Sequence, residues 1–221
     1  IGAFHQPRSV VIDPLLMVTL PPREWACGLA ESVKHGVIRD AEFFGWIERQ
    51  ATELSDIAAN AGRRVDESAD VLVELIGRNC AIKAAVVSAD EREAGLRAIL
   101  NFGHTIGHAV EALAGYSNLR HGEAVSIGMV AESRIALARG LITQADFDRM
   151  RDLLAALNLP TRTPAEQTVE QITDLMNRDK KVKAGRVRFV LPRGIGDTVI
   201  VDDVTPDEIS AAVSRSQASE A

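Results

Sequence analysis

The sequence predicts a mainly α fold, a multi-helix domain with one late β-hairpin. Three observations predict it. Apolar residues make up 46% of the 221-residue chain but aromatics only 4%, so the core must be mostly Ala, Leu, Ile and Val. Such a bias suits close-packed helices better than an all-β sandwich. From Trp25 to about Asn177 the apolar positions recur at helical spacing. In the second half of the chain, strict alternation enters only around Val187.

Ser9-Val10-Val11-Ile12-Asp13-Pro14 reads as a short buried strand stopped by Asp-Pro. A lone buried strand has no ladder partner, and unpaired backbone groups inside a protein are costly, so it either pairs with a strand far along the chain or, the favoured expectation, belongs to a sheet outside this chain. Pro21-Pro22 then opens a helix carrying Trp25, Leu29, Val33 and Ile38. Asp40 caps a second with Phe43, Phe44 and Ile47. A third runs from Asp66 to about Ala89. Asn101-Phe102-Gly103 breaks the chain before a helix ending at Ala114-Gly115, and another runs from about Gly122 to Ala138 before Gly140. Thr143-Gln144-Ala145-Asp146 starts the next, which Leu159-Pro160 stops, and a further helix covers roughly Ala165 to Asn177. Val187, Phe189 and Leu191 alternate, as do Val199 and Val201, about the turn Arg193-Gly194-Ile195-Gly196, which makes a hairpin. Thr205-Pro206-Asp207-Glu208 begins a last helix, with a frayed polar tail expected from Ser214. The expected division is 1–20 as the tail of a preceding domain, 21–215 as the helical domain and 216–221 as frayed tail.

Composition also excludes classes. No run approaches the roughly 20 apolar residues of a membrane span. The opening Ile1-Gly2-Ala3-Phe4-His5 is not a signal peptide, and its lack of Met suggests a processed or excised piece. Cys27 and Cys80 cannot build a disulfide framework or a metal finger, so a reducing cytoplasm is the expected location. A net charge of −6 offers no basic stripe for nucleic acid. It still allows a local cationic cluster to hold a small anion.

Three of the five histidines fall between positions 104 and 121. His104 and His108 share a helix face with Cβ atoms about 6 Å apart, a spacing by which one helix offers two imidazoles to one metal, and His121 could supply a third. A hydrogen-bonded surface pair without metal accounts for that spacing about equally well. The flanking Gly103, Gly107 and Gly122 favour a site, since they let backbone approach closely. Thr105 stands where a helical zinc protease would carry its Glu base, and no adjacent His-Asp pair suggests a phosphohydrolase. Glu31 and Lys34 lie three apart among small and apolar neighbours; taken alone they read as an i,i+3 surface ion pair. Lys83, between Ala81-Ile82 and Ala84-Ala85-Val86, calls for an anion or a watery cleft. Arg97 and Asp179-Lys180-Lys181 complete a cationic set.

These blocks resemble the 3-dehydroquinate synthase family. They are Pro21-Pro22-Arg23-Glu24 into Gly28-Leu29-Ala30-Glu31, Asp90-Glu91-Arg92-Glu93 into Gly95-Leu96-Arg97, Asn101-Phe102-Gly103-His104-Thr105-Ile106-Gly107-His108-Ala109, His121-Gly122-Glu123-Ala124-Val125 and Asp179-Lys180-Lys181. They occur in the family's order over nearly the whole chain, and the Asn-Phe-Gly-His-Thr-x-Gly-His block with His-Gly-Glu-Ala-Val is highly specific. The resemblance implies conversion of 3-deoxy-D-arabino-heptulosonate 7-phosphate, a sugar-acid phosphate of the shikimate pathway, to 3-dehydroquinate. It also implies catalytic NAD, one divalent metal (zinc or cobalt), a cytoplasmic enzyme and a homodimer. Glu31, His104 and His121 match the metal ligands. His108 matches a substrate-site residue, which corrects the guess from spacing. Lys83 and Arg97 match contacts to the substrate carboxylate; Asn101, His108 and Lys180 (or Lys181) match the phosphate side. Lys34 matches a further active-site lysine, so Lys34, His108 and Lys83 form the expected catalytic set.

A Glu-His-His site with open positions is the catalytic type of zinc site, suited to binding adjacent substrate hydroxyls. One departure stands out. The family carries an N-terminal α/β nucleotide-binding domain with a Gly-rich phosphate loop, and nothing here matches it; Gly194-Ile195-Gly196 reads as a hairpin turn. The expectation is a C-terminal, metal-binding portion that neither binds NAD well nor turns over alone. Other sugar-phosphate cyclases use substrates without a carboxylate, which would leave Lys83 and Arg97 without a partner. Iron-dependent polyol dehydrogenases typically carry Asp where Glu31 stands. A helical metal hydrolase would need His108 as a ligand, and a helical interaction domain would hold no metal.

Overall fold

A computed structural model describes residues 7–60, 68–91, 95–115, 118–182 and 187–217, with the backbone alone for residues 18 and 177–182. Eight α-helices and one hairpin are formed among them: α1 Pro22–Arg39, α2 Ala41–Ala59, α3 Ala69–Ala89, α4 His104–Leu113, α5 His121–Ala138, α6 Gln144–Ala156, α7 Val169–Val182, β1 Phe189–Pro192, β2 Thr198–Val201 and α8 Pro206–Gln217. The expected class is therefore the observed one, and the local signals explain most boundaries. Pro22 sits at the first turn of α1, where a missing N–H costs nothing. The Asp40 carboxylate accepts from Phe43 N, and Thr143 with Asp146 forms a reciprocal capping box.

Helix α5 is the centre of the fold. From Gly122 to Ala136 nearly every residue is buried, the pattern of a helix surrounded on all sides. It packs against α1, α4, α6, α8 and β1. The core also takes in large aromatics: Phe43 and Phe44 from α2, Phe147 from α6 and Phe189 from β1 are all fully buried. The hairpin pairs antiparallel in the register Phe189↔Val201 and Leu191↔Val199. β1 is buried on both faces, so Val190 is as enclosed as the alternating set that predicted the strand. Its turn is held to α1 by Gly196 N donating to Val37 O at 2.8 Å.

Several expectations need correction. No strand forms over Ser9–Pro14: Val10, Val11 and Ile12 are exposed, and Pro14–Thr19 winds into a 3-10 helix capped by Asp13. An extended apolar segment without a neighbouring strand has nowhere to place its backbone hydrogen bonds. The last helix does not fray at Ser214 but continues to Gln217, because Ser216 is buried and its carbonyl accepts from Thr163 N. Residues 218–221, and Asp66 as the start of the third helix, lie outside the described residues. α7 starts at Val169 and runs to Val182, beyond the predicted Asn177. A second 3-10 helix, Leu96–Asn101, was not predicted and leads directly into the site. No helix among the described residues is long and apolar enough to cross a membrane.

Candidate metal centre

Three helices deliver the predicted ligands to one place. α1 carries Glu31, the first residue of α4 is His104, and the first residue of α5 is His121. Small residues set the spacing between these helices. A Cβ on Gly122 would lie 2.4 Å from the Cα of Cys27, so α5 meets α1 one turn from Glu31. A Cβ on Gly107 would lie 2.8 Å from Ala124 O, so α4 and α5 also touch backbone to backbone. Arg23 at the start of α1 pairs with Glu123 at the start of α5, both oxygens at 2.5 Å from its guanidinium. Two of the sequence blocks therefore meet directly, which neither alone discloses.

The geometry at the convergence is specific. Glu31 Oε1 stands 3.9 Å from His104 Nε2 and 3.9 Å from His121 Nε2. Two ligands of one zinc ion can be at most about 4.3 Å apart, so both separations suit a shared cation while being too long for a hydrogen bond. Glu31 Oε1 is buried and accepts no hydrogen bond, whereas Oε2 is taken by Lys34 Nζ at 2.5 Å. A buried carboxylate oxygen left without a donor is costly, and a cation between it and two imidazoles removes that cost.

The far sides of both rings agree. His104 Nδ1 lies 3.1 Å from Phe102 O and His121 Nδ1 lies 3.2 Å from Glu111 Oε2. A carbonyl and a carboxylate only accept, so in each ring Nδ1 carries the proton and Nε2 turns its lone pair toward Glu31. His108 belongs to the same cluster: one ligand atom from each of His104, His108 and His121 lies within 4.8 Å of the others. The donor set fits a divalent metal, by either the Glu-His-His or the three-histidine choice.

Charge states favour binding. Burial, with Lys34 nearby, brings His104 down to about 4, so it is neutral at physiological pH. Burial raises the Glu31 carboxyl, but Lys34 and the adjacent imidazoles outweigh it and hold the group below its ordinary value. Burial lowers the Lys34 ammonium, Glu31 opposes that shift, and Lys83 adds to it.

The other predicted residues are placed as follows. Lys34 is buried beside Glu31. Lys83 lies on α3, not in an apolar nest but exposed, and so are Ala81, Ala84 and Ala85 beside it. Its charge is felt at Lys34 and His35. Arg97 and Asn101 sit on the 3-10 helix before His104, with Arg97 N held by Asp90 Oδ2 and its guanidinium donating to Glu91 O. Lys180 and Lys181 fall on α7, but their side chains lie outside the described set. Gly194-Ile195-Gly196 is a hairpin turn, and its Gly196 N–H is already used on Val37 O, so it builds no phosphate cradle.

Three polar residues near the site were missed by sequence reasoning. Glu111 holds His121. Asn79 joins α3 to α1 by accepting at Oδ1 from His35 Nδ1 and donating to Ser32 Oγ. Glu132, fully buried on α5, accepts from Gly103 N at 2.7 Å and Ile106 N at 3.1 Å. Burial pushes Glu132 up to about 8, against backbone donors at Gly103, Ile106 and Thr105 that pull it down. A lone Glu inside the apolar run of α5 was a readable signal of the same kind that singled out Lys83.

In this helical protein a carboxylate and clustered imidazoles meet between α1, α4 and α5, a donor set of the kind that can hold a divalent metal. The chain belongs to the 3-dehydroquinate synthase C-terminal family, whose description matches residues 28–182. A 3-dehydroquinate synthase of Synechocystis sp. is 51% identical over 213 residues, covering 96% of this chain and 57% of the relative. That of Vibrio atlanticus is 47% identical, covering 96% and 56%. The chain thus spans little more than half the length of these curated relatives. The solved 2-epi-5-epi-valiolone synthase ValA of Streptomyces hygroscopicus, with NAD+ and Zn2+ bound, is 31% identical with a TM-score of 0.82 over 97% of this chain and 57% of its own. A 2-deoxy-scyllo-inosose synthase, complexed with carbaglucose-6-phosphate, NAD+ and Co2+, shares the fold at 24% identity and a TM-score of 0.75, over 98% of this chain and 58% of its own.

Proposed function

We propose that this chain supplies the metal centre and much of the substrate site of a 3-dehydroquinate synthase. The reaction converts 3-deoxy-D-arabino-heptulosonate 7-phosphate to 3-dehydroquinate and phosphate through a reversed oxidation, a phosphate elimination and an intramolecular aldol closure. The observation that carries the reading is the orphaned Glu31 Oε1, 3.9 Å from two imidazole nitrogens whose opposite edges are already bonded. The name shared by relatives at about half identity supports the choice of substrate.

Glu31, His104 and His121 would hold the divalent metal, zinc or cobalt, which when bound polarises substrate hydroxyl oxygens. Lys34 keeps the second oxygen of Glu31 occupied, so that one oxygen alone points into the site. Lys83 and Arg97 orient the substrate carboxylate. Asn101, His108 and Lys180 (with Lys181) orient its phosphate, the group that leaves. Converging cations on an anionic substrate reduce catalysis here largely to orientation and charge placement. NAD, which the valiolone synthase holds, is assigned to the part of the longer relatives that this chain does not span, and no residue here is given a role in binding it. The chain alone is therefore inactive in this reading, and the complete enzyme is a cytoplasmic homodimer.

The three-histidine choice, which a metal hydrolase would use, leaves Glu31 Oε1 unexplained and is the second reading. Metal content per chain separates the two, measured for the unsubstituted chain and for Glu31→Ala and His108→Ala. Loss of metal in Glu31→Ala with retention in His108→Ala is expected. The opposite pattern selects the hydrolase-like triad and removes the mechanism above.

A further inference from the structure

Helix α4 presents the backbone N–H groups of its first turn with no local acceptor. Its N-cap is Gly103, at φ +79°, which has no side chain to offer. A capping side chain could not fit there, because a Cβ at 103 would stand 2.6 Å from Met129 Cγ and 2.8 Å from Val125 O. The acceptor comes instead from a helix 29 residues further on. Glu132 Oε2 takes Gly103 N at 2.7 Å and Oε1 takes Ile106 N at 3.1 Å.

We propose that Glu132 is a positioning residue for the metal centre, fixing the start of α4, and with it His104, against α5, whose first residue is His121. The inference rests on the metal-centre reading given above. A cap from within α4 would steady that helix alone. This one closes a rigid circuit from His121 along α5 to Glu132, across to the backbone of 103–106, and back through His104 to a ring 5.2 Å from that of His121. Because both carboxylate oxygens are used on backbone donors, the first turn of α4 can neither slide along α5 nor rotate without losing one. Glu132 touches no ligand directly and acts through the backbone on either side of one.

The test uses Co2+ as probe on this chain and on Glu132→Gln, which keeps the shape but turns one acceptor into a donor facing a backbone N–H. The expected result is unchanged helical circular dichroism, a Kd for Co2+ weakened roughly 10–100-fold and shifted visible absorption bands. Ile135→Ala, a core truncation elsewhere on α5, destabilises the helix without touching the cap and keeps both Kd and bands. Equal Kd and band positions in Glu132→Gln and the unsubstituted chain would overturn the positioning role, as would an identical loss in Ile135→Ala. Failure of the unsubstituted chain to bind Co2+ would overturn the metal-centre reading itself and this inference with it. If Glu132→Gln does not accumulate as folded protein, amide exchange in the unsubstituted chain decides. Saturating Zn2+ then slows exchange at Gly103 and Ile106 far more than in α6, and a uniform change sinks the proposal.

Discussion

Gly128 packs so tightly on Gly103 that a Cβ at 128 would lie 1.9 Å from the Gly103 carbonyl oxygen. The opposing atoms are backbone and cannot turn aside, so the contact sets how near α4 can come to α5. Gly128→Ala must push the two helices apart at the point where Glu132 reaches across. It is expected to cost about 1–3 kcal/mol or more by urea unfolding. Gly77→Ala, on an exposed part of α3 with nothing within 4 Å, is expected to gain about 0.5–1 kcal/mol instead. A Gly128→Ala chain with the original urea midpoint would show that this seam is not tight.

Glu111 is the acceptor that orients His121, at 3.2 Å from Nδ1. Outer partners of this kind are typically worth about 10–100-fold in metal affinity. Glu111→Gln retains an acceptor but loses the charge, so its Zn2+ affinity should fall roughly tenfold, and Glu111→Ala should lose more. Chelator competition measures both. Unchanged affinity in the two variants would remove Glu111 from the site.

Arg139 ties the end of α5 to α8: its Nε and Nη2 bond the two oxygens of Glu208, and its Nη1 bonds Asp203. The guanidinium holds Glu208 down to about 2. A carboxyl depressed on folding adds stability that is complete above its unfolded value near 4.5 and is lost as the pH falls from there toward about 2. Arg139→Ala should therefore lose about 1 kcal/mol from the Glu208 pair at neutral pH and little at pH 2. A difference in urea midpoint that stays constant across that range would contradict the assignment.

The sequence disclosed the helices best where a boundary is a local event. Asp40, Thr143 and Pro22 act on their own first turns, and each is found doing so. It failed where neighbours decide. Ser9–Pro14 has strand composition but no partner, and Lys83 has apolar neighbours along the chain yet an open face in space. The site divides in the same way. Helical spacing pairs His104 with His108, since periodicity relates only residues on one element. Glu31 enters through contacts among three helices; its spacing to Lys34 read as an ion pair, and only the family resemblance pointed to it as a ligand. Glu111, Asn79 and Glu132 are invisible to periodicity because their partners stand 10, 44 and 29 residues away.

His104 connects the site to folding. Burial and the neighbouring Lys34 lower it to about 4, against an ordinary 6.5. Between those values the unfolded chain binds a proton there that the folded chain refuses, so in chelator the stability contributed by this ring is full above pH 6.5 and declines toward pH 4. His35, lowered by burial, acts in the same direction, whereas Glu132, raised to about 8, acts oppositely. Net stability alone would mix the three. Subtracting the pH profile of His104→Gln from that of the unsubstituted chain isolates the one imidazole, because the other two groups remain in both. The difference is expected to shrink steadily as the pH falls from 6.5 to 4. A flat difference over that interval would mean that His104 is no harder to protonate than an exposed histidine, and that it is not held neutral with Nε2 open toward Glu31.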